Sequence, residues 1–177
     1  MRVLAISGSL RARSTNAALV RLIKLLAPEN MEMIIYEGLG DLPHFNPDID
    51  GEESPASVQE LRGLLASVDG VLICTPEYAF GVPGVLKNAL DWTVSTGEFS
   101  GKPVALICAS SLWAGGDKAH ASLLLTLTAL GTKVPAAGTL MIPTISKKLN
   151  ANGDVLDPEL PRALKAVLAA LVQEIEA

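Results

Sequence analysis

The chain has 177 residues, 49% of them hydrophobic and 19% charged, which suits one domain over 1–177 with a sizeable core and excludes a disordered chain. A formal net charge of -5 argues against nucleic acid as a partner, because an acidic chain gains nothing from counterion release. The apolar runs are far shorter than a membrane span and no charged-then-apolar leader precedes the first strand, so no membrane partner and a cytoplasmic location are expected.

Val3–Ser7 is an apolar run that reads as a strand, and Ser14 is placed to cap a helix striped by Leu19, Leu22, Ile23 and Leu26. Glu32–Tyr36 is a more mixed strand, suited to a position nearer a sheet edge. Residues 41–55, DLPHFNPDIDGEESP, form a polar connection. A helix over 55–67 carries Val58, Leu61, Leu64 and Leu65 on one face, and Gly70–Cys74 follows as a fully apolar strand. The next helix sets Val82, Val85, Leu86, Ala89, Leu90 and Val94 at helical spacing. Pro103–Cys108 is again apolar throughout. The helix after it, around 119–130, is apolar nearly all round, which predicts burial on two sides. Gly138–Ile142 is the last strand, and a helix from Leu160 to Ile175 closes the chain.

Five strands alternating with five helices predict an α/β fold, a doubly wound five-stranded parallel sheet with helices on both faces. The length favours the flavodoxin-like order 2-1-3-4-5, with the site beyond the carboxyl ends of the strands. Cys74 and Cys108 each end an apolar run and read as buried small hydrophobes of a reducing compartment. With only His44 and His120 in the chain, no His-based metal site or triad is expected, and the acidic 41–55 stretch reads as a solvated connection rather than a metal site.

The strand ends carry the chemistry. After the first comes GSLRARSTN, in which Ser9, Ser14, Thr15 and Asn16 donate hydrogen bonds and Arg11 or Arg13 supplies charge. A helix start adds its own amides, so the loop suits a terminal phosphate. It is neither GxxxxGK[ST] nor GxGxxG. After the third strand, Thr75-Pro76-Glu77-Tyr78-Ala79-Phe80-Gly81-Val82-Pro83-Gly84 offers flat apolar surface beside backbone donors, as a planar heteroaromatic ring requires. After the fourth come Ala109, Ser110, Ser111, Leu112 and Trp113, then Gly115-Gly116. Phosphate at one loop and a planar ring between the other two describe a site for flavin mononucleotide (FMN).

These residues resemble the NADPH-dependent FMN reductase family, which includes chromate, quinone and azo-dye reductases. Its GSLRxxSxN motif stands as Gly8-Ser9-Leu10-Arg11, Ser14 and Asn16, and its PEYNxxxPGxLKNAxDW motif as Pro76-Glu77-Tyr78, Pro83-Gly84, Leu86-Lys87-Asn88-Ala89 and Asp91-Trp92. The resemblance implies that Ser9, Leu10, Arg11, Ser14, Thr15 and Asn16 hold the FMN phosphate. It places Pro76, Glu77, Tyr78 and Ala79 along the isoalloxazine, with Ala109 and Ser110 completing the slot. It further implies NADPH or NADH as donor, a small-molecule electron acceptor, and a homo-oligomer formed through the 82–95 region; Trp92 and the apolar helix around 119–130 fit such a contact and fit burial within one subunit equally. Flavin N5 carries the reaction, with no catalytic side chain, and Glu77 reads as an orienting or subunit-contact residue rather than a general base. Two departures, Ala79 where the family has Asn and Leu112-Trp113 where it has Gly, bear on substrate preference. Three other readings share these residues: an FMN-binding electron carrier without NAD(P)H turnover, a binding protein that has lost its flavin, and an NAD-binding domain using Glu37 on a ribose.

Overall fold

The computed structural model describes residues 1–11, 13–51, 53–150 and 152–177; Ala12 of the first loop and Glu52 of the 41–55 connection lie outside the described residues. Five parallel strands, β1 (Arg2–Ser7), β2 (Glu32–Tyr36), β3 (Gly70–Thr75), β4 (Val104–Ala109) and β5 (Thr139–Ile142), form one sheet in the order β2-β1-β3-β4-β5. This is the predicted order, and the strand limits agree with the prediction to within one residue. The helices are α1 (Thr15–Leu26), α2 (Ala56–Ala66), α3 (Gly84–Asp91), α4 (Asp117–Ala129) and α5 (Glu159–Glu176). Among the described residues no helix is long and apolar enough to cross a membrane.

The apolar character of the central strands follows from their position. Every residue of β3 and β4 is buried, because helices cover both faces of the sheet. Alternation along β1 divides the core in two. Val3 and Ala5 face α1 and α5, where Leu19, Ile23, Leu164 and Leu168 pack. Leu4 and Ile6 face α2, α3 and α4, meeting Leu61, Leu65, Leu86, Leu90 and Leu123. Each fully buried side chain of this size contributes roughly 1.5–3 kcal/mol. Cys74 and Cys108 belong to opposite cores, and both are free thiols.

Two expectations are altered. Helix α4 buries one face only: Leu123 and Leu127 are fully buried, whereas Leu125 is 74% exposed. Trp92 is a core residue of its own subunit, fully buried. Its indole donates to the Pro43 carbonyl (2.9 Å), and the Phe45 ring meets it edge-on at 5.1 Å. Asn88 donates to the same carbonyl (2.9 Å) and accepts from the Phe45 amide (2.8 Å). The LKNALDW stretch thus anchors the polar 41–55 connection.

Arg62 completes that anchorage from α2. Its guanidinium is nearly buried, bonded to Asp50 (2.5 Å) and to the Trp92 carbonyl (2.5 and 2.9 Å), with Glu98 at 4.0 Å. The Arg62 hydrogen bond, followed by one involving Ser95, holds the Asp50 carboxyl below its usual range. A lowered carboxyl contributes stability above its unfolded value and loses it as pH falls through the folded one. Arg62→Met is therefore expected to destabilise by about 3–5 kcal/mol at neutral pH, since it strands a buried carboxylate. The gap between wild type and variant narrows as pH falls below about 4, where the unfolded chain takes up the Asp50 proton first and the folded wild type follows only at lower pH. Urea unfolding at pH 7 and pH 3 reads both effects; an unchanged gap rules out Asp50 as the partner that matters.

Candidate cofactor site

The carboxyl ends of β1, β3 and β4 meet at the point where strand order reverses. The first loop leaves β1 through Gly8, whose amide donates to the Cys74 carbonyl at 2.8 Å. A Cβ there would stand 2.9 Å from Thr75 Cβ and 3.1 Å from Leu86 Cδ2, with Thr75 Oγ1 closer still. Glycine is the residue that permits so close a passage. Beyond it the Ser14 amide donates to the Arg11 carbonyl (3.0 Å), closing a turn onto α1. Ser14 caps the helix as predicted: its Oγ accepts from the Ala17 amide at 3.3 Å, which leaves its own O–H to donate elsewhere. The amides of Thr15 and Asn16 open the helix, where no carbonyl of the preceding turn can meet them.

The loop after β3 begins with Pro76, Glu77 and Tyr78. Tyr78 Oη lies 3.3 Å from Ser9 Oγ, joining this loop to the first. Glu77 turns to α4, where its Oε2 accepts from the Lys118 (2.9 Å) and Ala119 (3.0 Å) amides. The cap position of α4 is Gly116, at φ 88°, which has no side chain to do this. Glu77 therefore supplies the cap from another loop, and its charge suits the positive helix end. A Cβ on Gly116 would stand 3.3 Å from Cys108 Cβ and 3.7 Å from Glu77 Cβ, so Gly116 both starts the helix and admits a close approach.

Ala109 and Ser110 close the third side. Ser110 Oγ accepts from the Leu112 amide (3.1 Å), and its carbonyl accepts from the Ile145 amide (3.0 Å). These loops enclose a cavity of about 140 Å³. Ser9, Arg11, Ser14, Thr15 and Asn16 line it from the first loop; Pro76, Glu77 and Tyr78 from the second; Ala109 and Ser110 from the third. Leu10 and Ala79 stand outside its wall. Leu10 turns to a neighbouring cleft of about 380 Å³ on the other side of the first loop, beside Ser7, Arg21 and Glu37. Ser111, which stood in the third loop without an assigned role, lines the cavity too, as do Ile145 and Ser146, which sequence reasoning did not name. The last two follow β5, and the only signal for them was that β5 ends at the same sheet edge.

Burial, followed by the charge of Glu77, pushes the Cys108 thiol up to about 12, so it is no thiolate nucleophile at neutral pH. Among the described residues no cluster of His, Cys, Asp and Glu could hold a metal ion. A larger groove, about 670 Å³, lies at the opposite edge of the sheet between the end of α1 and α5. It is away from the strand ends where ligands of such sheets bind.

A parallel sheet in this order, with loops converging on its switch point, defines the flavodoxin-like class of α/β proteins. The chain belongs to the NADPH-dependent FMN reductase family, which matches residues 1–147. It is 36% identical to a quinone reductase of Escherichia coli (strain K12) over 137 residues, 76% of this chain and 73% of that protein. An NAD(P)H-dependent FMN reductase of Pseudomonas aeruginosa is 37% identical over 132 residues, 73% of this chain and 71% of that protein. Among solved structures, FerB from Paracoccus denitrificans, a flavoenzyme NAD(P)H:(acceptor) oxidoreductase, superposes with a TM-score of 0.88 at 33% identity, covering 99% of this chain and 97% of that one.

The residues present fit the family's cofactor. A helix start, three hydroxyls and Arg11 suit a phosphate. The cavity is smaller than the roughly 300–1,000 Å³ that takes a whole drug-sized ligand. Its volume suits one end of an FMN rather than the whole molecule.

The family's Asn after Glu-Tyr has a backbone explanation here. Tyr78 and Gly81 exchange two hydrogen bonds of 3.0 Å around Ala79 and Phe80, which sit at φ 49° and 61°. This is a two-residue turn with both central residues left-handed, the geometry that Asn and Gly suit. Alanine there is strained by roughly 1–2 kcal/mol. Ala79→Gly is expected to raise stability by about 0.5–1 kcal/mol in urea unfolding, after allowing for the greater freedom of glycine in the unfolded chain. A loss of stability would show that the turn is not left-handed at this position.

Proposed function

We propose that the 177 residues act as one FMN-binding unit that passes reducing equivalents from NAD(P)H to a small acceptor such as a quinone, chromate, an azo compound or free flavin. The observation that carries this reading is the cavity at the switch point, where the α1 start and Arg11 face the Tyr78 and Ala109 loops. FMN, when bound, supplies the redox chemistry of both half-reactions. The protein's part is to hold and orient. Arg11, the Thr15 and Asn16 amides and the Ser9 and Ser14 hydroxyls grip the phosphate. Pro76, Glu77 and Tyr78 fix one edge of the ring and Ala109 and Ser110 the other. Glu77 acts as a helix cap, with its carboxylate turned to α4 rather than to a substrate proton.

Homo-oligomerisation belongs to the same reading. Within 82–95, Leu86, Ala89, Leu90, Trp92 and Thr93 are buried in the subunit, so the exposed apolar side chains left for a second copy are Val94 within it and Phe80, Leu112 and Trp113 in the loops. Two free buried thiols support a reducing, cytoplasmic location.

The purified protein, reconstituted with FMN and kept anaerobic, is expected to show flavin bands that bleach on addition of NADPH. Bands that persist with both NADPH and NADH would mean a carrier without its own turnover. Arg11→Ala should weaken FMN binding by roughly 1.5–3 kcal/mol, the range for a hydrogen bond to a charged group. Fluorescence titration measures this, and an unchanged affinity would remove Arg11 from the phosphate grip.

A further inference from the structure

Asn16 is the second residue of α1, and only 5% of it is exposed. Its carboxamide bonds twice across the chain. Nδ2 donates to the Ala109 carbonyl at the end of β4 (3.2 Å), and Oδ1 accepts from the Cys74 thiol on β3 (3.3 Å). Burial, followed by neighbouring Cys108, holds the Cys74 thiol far above its ordinary range, so it keeps the proton it donates. The partners lie 93 and 58 residues away in sequence. One side chain therefore joins the start of α1, which follows the first loop, to the strands from which the other two loops depart. The amide group is matched to this task because it presents a donor and an acceptor at once. Aspartate would set an oxygen against the Ala109 carbonyl, and serine is too short to span both strands.

We propose that Asn16 is the positioning residue of this site: its carboxamide sets the spacing of the three loops, and gripping the anion falls to Arg11, the hydroxyls and main-chain amides. The inference rests on the reading of the cavity as an FMN site and assigns the motif's last residue a role inside the protein. Placement of this kind matters because small displacements of binding groups have large effects on a preorganised site.

Cys74 allows a test from behind, since it is fully buried and forms no part of the cavity wall. Cys74→Ala removes the donor to Asn16 Oδ1, whereas Cys74→Ser keeps one. The measurements are FMN affinity by fluorescence titration and amide hydrogen exchange of the apo-protein in segments 9–11 and 109–111. Cys74→Ala is expected to raise the FMN Kd about 3- to 10-fold, the range for one neutral hydrogen bond, and to speed exchange in both segments. Cys74→Ser restores both readouts, and Asn16→Ala exceeds Cys74→Ala in both. Loss of FMN binding in Asn16→Ala, with affinity and exchange at wild-type values in Cys74→Ala, would make Asn16 a direct ligand and overturn the proposal. Unchanged exchange at 109–111 in Asn16→Ala would overturn it as well. Should Asn16→Ala fail to fold, the two Cys74 variants decide the matter. If the wild type takes up no FMN, the cofactor reading falls, and the exchange comparison still decides whether the tie exists.

Discussion

A side chain at position 8 would collide with Thr75 and Leu86, and the close passage that Gly8 permits sets the geometry of the whole carboxyl-terminal sheet edge. Because the first loop runs flush against β3, the start of α1 comes near the ends of two strands instead of standing off in solvent. Only from there can Asn16 reach Cys74 and Ala109 together, and Ser9 reach Tyr78. The strands beneath make this precision possible. β3 and β4 are buried at every position, so the loops depart from a floor that close packing holds in place.

The charge distribution follows from the same arrangement. Helices α1 and α4 both begin beside the cavity, and each presents partial positive charge. At α4 that charge is met by Glu77, whose carboxylate takes two of the first amides. At α1 the cap is a neutral serine, which satisfies one amide and adds no negative charge. The cavity is therefore polarised, positive beside Arg11 and close to neutral where Glu77 covers the second helix. An anion is drawn to one end, and an uncharged ring can lie at the other without an opposing carboxylate.

The sheet order and the strand positions were legible because buried parallel strands read as unbroken apolar runs. The cap at Ser14 and the gathering of Ser9, Arg11, Thr15 and Asn16 at one cavity were legible because short polar side chains at a strand–helix junction have few other uses. What escaped was whatever depends on contacts distant in sequence. Trp92 looks the same in sequence whether it packs on Phe45 or on a second copy, and only the chain's return through Pro43 settles it. The all-round apolar look of α4 did not predict that Leu125 faces outward. The two internal partners of Asn16, Cys74 and Ala109, carry no signal in the sequence. Ile145 and Ser146 carry no motif and reach the cavity through the fold alone.

The strained residues lie just outside this rigid floor. Ala79 and Phe80 hold left-handed conformations that the cavity does not need, since neither lines it, and Phe80 is 76% exposed. Trp113, on the loop after β4, is 86% exposed. Strain of this kind persists only where the surroundings enforce it, and here the Tyr78–Gly81 hydrogen-bond pair does so. The site is thus built in two zones. Its buried zone, formed by Gly8, Asn16 and Ala109, is fixed by packing and by hydrogen bonds that span the sheet, so changes there disturb the fold and the grip on an anion together. Its outer zone consists of large apolar side chains that the subunit itself does not pack, where substitutions away from the strained Ala79 and Phe80 change stability by no more than about 0.5 kcal/mol. Variation in what meets the mouth of the cavity is therefore physically separable from variation in what holds its floor.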